Sequence, residues 1–525
     1  MCSARASARR TLASQSAPVS RRGAAAPGLL PTYLKDARGV QTYDPVLRPN
    51  GVLQLSVAEN QMVGSVLTPK LKSIQTEPYK QGDHAGLFDR PLIFYQQTHG
   101  MPECRSAIAA HMTRVLNNHE YTFDPELLVV GAGCNAVLEN LIFTIADEGE
   151  GVLIPRPYYA AFEFDLQARA AVQVLPVALS APDSSSFGDF DQSWRSSAKR
   201  GAATAVATGG EAALEASSGA AAAPAYVSPE QYYPTPETLE AAYQSAVDAG
   251  ITPRVLLLSS PNNPLGICYP EEVLLKCWEW CETKDNLHLV SDEIYGGSIW
   301  GDAHQPAWRG FGAVAARAGK ALGDRVHVIW ALSKDFALSG LRVGAVYTEN
   351  QQIQLPLQKL NDLCQVGSTT QVMVSRLLAQ PHDGLSFAEA LQHGNQAWLR
   401  GRYERLTAVL EKHGVPYLPA GAGLFVWLDL RAWLPPVSES STPDVLRAES
   451  PVGIGGALLP ASEAERERFL YLRLIREFGL LLTPGVSMRT EEPGYFRCVF
   501  SAASDQAFEL ALKRFAKLGA SPRRS

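Results

Sequence analysis

The sequence predicts an α/β protein: a large, mostly parallel sheet covered by helices on both faces, joined to a smaller α+β domain. Three observations carry that expectation. Nearly uninterrupted apolar runs, RVLLLSS, LHLVSDE and VHVIWALS, alternate with helical patterns. Such an order marks parallel strands buried on both faces. Asn263, Asp292 and Lys334 each fall at or just past the end of such a run, where open α/β sheets gather their ligand sites. Past about Asn350 the alternation gives way to a long helical region and then short strands.

Composition bounds the possibilities. The chain has 525 residues, 46% apolar and 19% charged, with a net charge of -6. Its length allows two to four domains. That charge gives no reason to expect nucleic acid or an anionic membrane as partner. No apolar run approaches the roughly 18 residues that span a bilayer. The eight cysteines are scattered, and the Cys277/Cys281 pair lacks the second pair or histidine cluster of a metal site. They read as reduced core thiols. Residues 1–35 contain no acidic residue, whereas Arg5, Arg9, Arg10, Arg21 and Arg22 alternate with Ala and Ser. This composition suits an organelle transit peptide or a disordered extension, and not a secretory signal. The expected location is therefore cytoplasmic or organellar.

In chain order, residues 31–95 carry mixed signals: a β-like run VLQLSV, then AENQM, then a helical stretch. Ile108, Met112 and Val115 in PECRSAIAAHMTRVL predict an amphipathic helix. ELLVVGAGCNAVLENLIFTIADEG reads as strand, glycine turn and helix, with a strand from Gly151 ending in Pro155. An Ala/Ser/Gly-rich stretch, 180–232 at its widest, lacks the large apolar residues that offset ordering entropy and reads as a surface insertion. Thr235 is an expected N-cap with Pro236 at the first helical position. The large domain spans 96–355. Residues 356–525 make the smaller domain, helical to His413, then strands at GLFVWLDL, FGLLLTPG and YFRCVFSA. A Pro/Ser/Gly-rich loop interrupts it at 435–463. The closing helix, Asp505 to Leu518, puts Phe508, Leu512 and Phe515 on one face.

Gly131-Ala-Gly133-Cys-Asn-Ala136 fits the G-x-G-x-x-A dinucleotide fingerprint. The next strand ends in Pro155-Arg156, with no acidic residue to hold a ribose hydroxyl. A helix N-terminus still binds any phosphate, so the anion site stands and the dinucleotide does not.

The remaining chemistry centres on WALSKDFALSGLRVGAVY, residues 330–347. The demands of pyridoxal 5'-phosphate are met together across the chain. Lys334 can form the imine, and Asp292 can keep the pyridine nitrogen protonated. Asn263 and Tyr295 can hydrogen-bond the ring phenolate, and Tyr159 can stack. Backbone N–H groups of Asn135 and Ala136, with Arg342, can hold the phosphate. Arg497 can grip an α-carboxylate bidentately.

SPNNPLG, SDEIYGG, LSKDFALSGLRVG and EPGYFRCVF resemble the signatures of fold-type I, class I/II aminotransferases. LSVAENQM, THGMPECRSAIAAHM and IADEGEGVLIPRPYY resemble the 1-aminocyclopropane-1-carboxylate (ACC) synthase subgroup. The resemblance runs from about Leu30 to the C-terminus, excepting the two inserted loops. It implies the fold-type I architecture, a Schiff base at Lys334, the roles given above for Asp292, Asn263, Tyr295, Tyr159, Arg342 and Arg497, and substrate contact by Glu59. It also implies a homodimer with shared active sites. Two positions depart from the subgroup. Thr98 stands where ACC synthases carry a tyrosine that reaches the partner's cofactor site. Ala331 stands where a phosphate-binding hydroxyl is usual, a loss of about 1.5–3 kcal/mol.

Each residue also has an ordinary structural reading. Asp292 could cap a turn, Arg497 could pair at the surface, Tyr158 or Tyr159 could be core, and Glu59 with Asn60 could cap a helix near Gln61. Filling every role of one cofactor in chain order favours the functional reading. Three functions follow. The first is an aminotransferase exchanging the amino group of an α-amino acid with a 2-oxo acid. The second is an ACC synthase-type lyase acting on S-adenosylmethionine. The third is a catalytically weak binding or regulatory protein.

Overall fold

The computed structural model describes residues 19–77, 90–179, 228–301, 308, 310–436 and 461–523. The Arg-rich residues 1–18 and most of the two inserted loops lie outside these ranges. Strand β1 is Leu53–Gln54. The large sheet is built from β2 (Leu128–Gly131), β3 (Gly151–Pro155), β4 (Gln173–Val177), β5 (Pro253–Ser259), β6 (His288–Asp292), β7 (Val326–Ala331) and β8 (Gly344–Thr348). Their spatial order is β2-β8-β7-β6-β5-β3-β4. Only β8 runs against its neighbours, antiparallel to both β2 and β7.

The physical basis is plain along β5, β6 and β7. Their apolar side chains are buried on both faces of the sheet, which splits them between two hydrophobic clusters. Helices Pro236–Asp248 and Glu271–Glu282 serve as crossovers. Thr235 caps the first of these in a reciprocal box with Thr238, and Pro236 opens it. The amphipathic stretch from Pro102 is α-helical to His111 and continues as a π turn, Met112–Leu116.

The region after Asn350 is helical to Lys412, as the sequence suggests, but divided. It forms three helices, Gln351–Leu360, Ser368–Ala379 and Phe387–Lys412. A tiny hairpin, β9 (Pro381–His382) and β10 (Leu385–Ser386), separates the last two. The cause is Asp383-Gly384, which takes positive φ at both residues, the geometry of a tight hairpin turn.

The smaller domain has a four-stranded sheet in the order β11-β12-β15-β14. Its strands are β11 (Tyr417–Leu418), β12 (Phe425–Asp429), β14 (Thr483–Pro484) and β15 (Tyr495–Val499). Strand β13 (Leu480–Leu481) pairs instead with β1, in parallel, so the N-terminal segment docks on this domain. The closing helix Asp505–Gly519 buries Phe508 and Phe515 in the same core, with Leu512 at its margin.

Candidate active site

Three strand ends of the large sheet converge. Strand β6 ends at Asp292, whose carboxyl is buried; that burial raises it to about 6. Its Oδ1 accepts from the Ile294 N–H at 3.2 Å and from the Cys134 thiol at 3.8 Å. Past β7, the turn Leu332–Asp335 carries Lys334. The lysine Nζ donates to Ala58 O at 2.6 Å, and burial lowers the amine to about 8, opposed by the Glu59 carboxylate. Past β5, Asn263 is 4% exposed and its Oδ1 accepts from Arg497 at 2.7 Å.

Arg497 comes from β15 of the other domain and is 3% exposed. It also donates to Ser56 O at 2.6 Å and to Thr483 Oγ1 at 3.2 Å. Its Nε is buried with no hydrogen-bond partner, and no carboxylate among the described residues pairs with it. A buried guanidinium held by neutral groups is costly to the fold, since buried charges are normally paired. The surface ion-pair reading of Arg497 therefore does not hold.

Arg342 is exposed, and its charge also acts on the Lys334 amine. It takes the left-handed conformation, φ +55, and donates to Ser339 O at 2.9 Å and Ala132 O at 3.2 Å. Gly133, at φ +95, opens the helix Cys134–Ile145 directly under this guanidinium. A Cβ there would sit 2.4 Å from Arg342 Nη2, and one at Gly344 would sit 2.7 Å from Cys134 N. Both glycines keep the turn open. The N–H of Ala136 donates to Gly133 O at 3.1 Å. The first-turn N–H groups left without an acceptor among the described residues are those of Cys134 and Asn135. Asn135 is exposed, and its side chain turns away to Asp165 at 2.5 Å.

The paired tyrosines separate. Tyr158 is 1% exposed and donates to Glu163, a structural role, whereas Tyr159 is partly exposed and edge-on to Phe162 at 5.4 Å. Tyr295 is 2% exposed and packs edge-on to Phe425. Burial pushes its phenol up, and the Arg497 charge opposes that. Glu59 is not a helix cap, because the following helix begins at Gly64. Its Oε1 instead accepts from Ser339 at 2.7 Å. Thr98 is held through its carbonyl by Asn361.

Sequence reasoning missed several neighbours. Ser56 and Thr483 brace Arg497, Ala58 O receives Lys334, and Cys134 touches Asp292. Tyr33 is also close, since the Arg497 charge acts on its buried phenol. Neutral residues from distant segments leave no charge or spacing signal; the pairing of β14 with β15 sets Thr483 opposite Arg497, and that of β1 with β13 brings in the segment that carries Ser56 and Ala58.

The donor set fits pyridoxal phosphate. An open glycine turn under an arginine and free helix-start N–H groups suit a phosphate. A buried carboxylate and a lysine with depressed basicity face each other across the same cleft, with a coulombic interaction between them. No group of His, Cys, Asp and Glu among the described residues could hold a metal, and no described helix is long and apolar enough to cross a membrane.

Comparison with known proteins gives the family. The family model described as aminotransferase class I and II matches residues 57–201 and 211–515. ACC synthase 7 of Arabidopsis thaliana is 30% identical over 90% of this chain and 88% of its own length. ACC synthase 3 of Oryza sativa subsp. japonica is 32% identical, with the same coverages. Among solved structures, the aspartate aminotransferase of Thermus thermophilus with maleate matches with a TM-score of 0.59 at 20% identity, over 96% of this chain and all of that one, which speaks to fold. The chain therefore belongs to the class I and II aminotransferases, with ACC synthase-like sequence, and is a pyridoxal-phosphate-dependent enzyme of fold type I.

Proposed function

We propose that the enzyme transfers the amino group between an α-amino acid and a 2-oxo acid. The observation that carries this reading is Arg497, a buried guanidinium with an unpaired Nε and no carboxylate among the described residues to pair with it. A substrate α-carboxylate supplies the missing charge and accepts bidentately. When bound, pyridoxal phosphate supplies an aldehyde to take the substrate amine and a ring to absorb the electron pair left at Cα. The chain's own groups do the rest. Lys334 is the attachment residue, and its amine, lowered to about 8, moves the Cα proton near neutral pH. Asp292 holds a proton at the pyridine nitrogen, while Asn263 and Tyr295 donate to the ring oxygen. Tyr159 covers the ring, and Arg342 with the N–H groups of Cys134 and Asn135 holds the phosphate. Glu59, beside Lys334, faces the substrate.

A second reading, ACC formation from S-adenosylmethionine, is favoured by the curated relatives and by Glu59 beside the lysine. Thr98 weighs against it, because a threonine lacks the reach and ring of the tyrosine that ACC synthases carry there. The homodimer and an organellar or cytoplasmic location belong to the same proposal. Incubation with amino acids plus 2-oxoglutarate, and separately with S-adenosylmethionine, decides between the two. A new 2-oxo acid supports transamination, ACC supports the lyase, and neither product leaves the binding-protein reading. Borohydride reduction and peptide mapping test Lys334: label on any other residue overturns its role.

A further inference from the structure

Directly behind Lys334 lies a second carboxylate that the chemistry above does not use. Asp335 is 0% exposed, and no cation among the described residues pairs with it. Its Oδ2 accepts from the Gly297 N–H at 2.8 Å and from Trp330 Nε1 at 2.9 Å, and its Oδ1 accepts from Ser298 Oγ at 2.6 Å. Every group aimed at it is a donor. An ionised carboxylate accepts from all three at once, whereas an asparagine must turn its NH2 group either onto the two N–H donors or onto the Ser298 hydroxyl, which then has to accept instead of donate.

What these bonds join is the informative part. On one side is the turn Leu332–Asp335, which carries Lys334. On the other is the turn running from Glu293 to Ser298, closed by Gly296 N to Glu293 O and by Ser298 N to Tyr295 O, which carries Tyr295. The joint admits no slack. A Cβ on Gly297 would lie 2.9 Å from Asp335 Cγ and 1.6 Å from Gln392 Nε2. From the outside, Gln396 of the smaller domain donates to Gly297 O at 3.1 Å. Desolvation of an unpaired carboxylate opposes folding, so stability alone does not account for it. Burial raises this group to about 7, against the pull of its donors.

We propose that Asp335 is a positioning residue: its carboxylate staples the Lys334 turn to the Tyr295 turn and so fixes the lysine amine relative to the tyrosine phenol. Reacting groups tolerate little displacement, and an ångström of error far from the chemistry costs activity heavily. The proposal rests on Lys334 and Tyr295 holding the cofactor, as read above.

The test uses the full chain loaded with pyridoxal phosphate and follows the pH at which the absorbance of the lysine-bound cofactor changes. A phenol donating to the ring oxygen lowers the proton affinity there, so loosening Tyr295 raises that midpoint. Asp335→Asn is expected to raise it by roughly half a pH unit or more. Ser298→Ala and Trp330→Phe, each removing one donor, raise it less. Val314→Ala, a cavity in the buried core of the helix Phe311–Arg317, lowers thermal stability and leaves the midpoint in place. If Asp335→Asn loses stability like Val314→Ala with an unmoved midpoint, the staple has no positioning role. If Asp335→Asn does not fold, the single-donor variants decide: a shift in either supports the proposal, and none in both overturns it. Borohydride label found away from Lys334 retires the lysine reading itself, whereas label on Lys334 with an unmoved midpoint retires only Asp335.

Discussion

Arg342 and Arg497 both act by their charge on the Lys334 amine and are held in opposite ways. Arg342 is exposed, and the two carbonyls that accept from it, Ser339 O and Ala132 O, belong to its own loop and to the glycine turn respectively. Arg497 is 3% exposed and braced by Asn263, Ser56 and Thr483, which come from three separate parts of the chain. The first site borrows its strength from backbone N–H groups and a helix start. The second has no helix dipole to draw on, and its one charge sits in a neutral, dehydrated setting. A carboxylate entering there exchanges water for a guanidinium that has already lost its own. Electrostatic interactions count for most where water is excluded, so the Arg497 end should be the more sensitive of the two.

The largest expected effect is therefore Arg497→Ala. Truncating one partner of a buried charge pair costs about 2–5 kcal/mol, roughly 30- to 5000-fold in kcat/KM for an amino acid. Cofactor retention should hardly change. Arg497→Lys should recover little, because an ammonium cannot bind both carboxylate oxygens in a fixed fork. Steady-state kinetics beside a cofactor-release assay checks both halves. A loss shared equally by substrate and cofactor would undo the contrast.

Arg342→Ala should show the converse. One charge-assisted contact to phosphate is worth about 1.5–3 kcal/mol, so the cofactor Kd should rise roughly 10- to 150-fold with the amino-acid KM nearly unchanged at saturating cofactor. Equilibrium dialysis reads the first and kinetics the second. The N–H groups of Cys134 and Asn135 remain in the variant, which is why the loss stays bounded.

The same asymmetry explains what could be read in advance. The phosphate end is local: GAGCNA and LSGLRVG lie in short, glycine-marked stretches, and the parallel strands beside them announce themselves by unbroken apolar runs. Asp292 and Lys334 were legible because strand ends are where such sheets place ligands. At the carboxylate end Arg497 and Asn263 were legible from their chemistry and Glu59 through the resemblance, but the braces were not. Ser56, Thr483 and Tyr33 are neutral, and they meet Arg497 only after β14 pairs with β15 and the N-terminal segment docks beside β13. Strand β8 and the Asp383-Gly384 hairpin were missed for a different reason. The hairpin strands, at two residues each, are too short to alternate, and Gly344–Thr348 is the tail of a stretch read for its lysine and arginine.

Asp292 lies between the two ends, and its burial gives a pH signature in the cofactor-free protein. Its folded value is about 6 against an ordinary 3.8. Between those values the folded chain keeps a proton that the unfolded chain has lost. The contribution to stability is therefore present below about pH 4 and is lost as pH rises through 6. Asp292→Asn removes that dependence, so the stability difference, wild type minus variant, should fall across this window by at most about 1.4 kcal/mol per pH unit. Denaturant melts of both proteins from pH 4 to 7 measure it; a flat difference would mean that the carboxyl is not held in the dry setting that separates the two arginines.

Thr483→Val is the smallest and most local probe of the contrast. The hydroxyl is 0% exposed, donates to Ser56 O at 3.1 Å and accepts from Arg497 Nη2 at 3.2 Å. Valine keeps the shape and removes both bonds. Arg497 retains Asn263 and Ser56 O, so its charge stays in place while its orientation loosens. One neutral hydrogen bond is worth about 1 kcal/mol net, so KM for the amino acid should rise roughly fivefold, with cofactor affinity unmoved. Because Thr483 never reaches the phosphate end, a change in cofactor Kd would show that the ends are mechanically coupled. A change in KM alone would show that Arg497 depends on its neutral braces for direction as well as for burial.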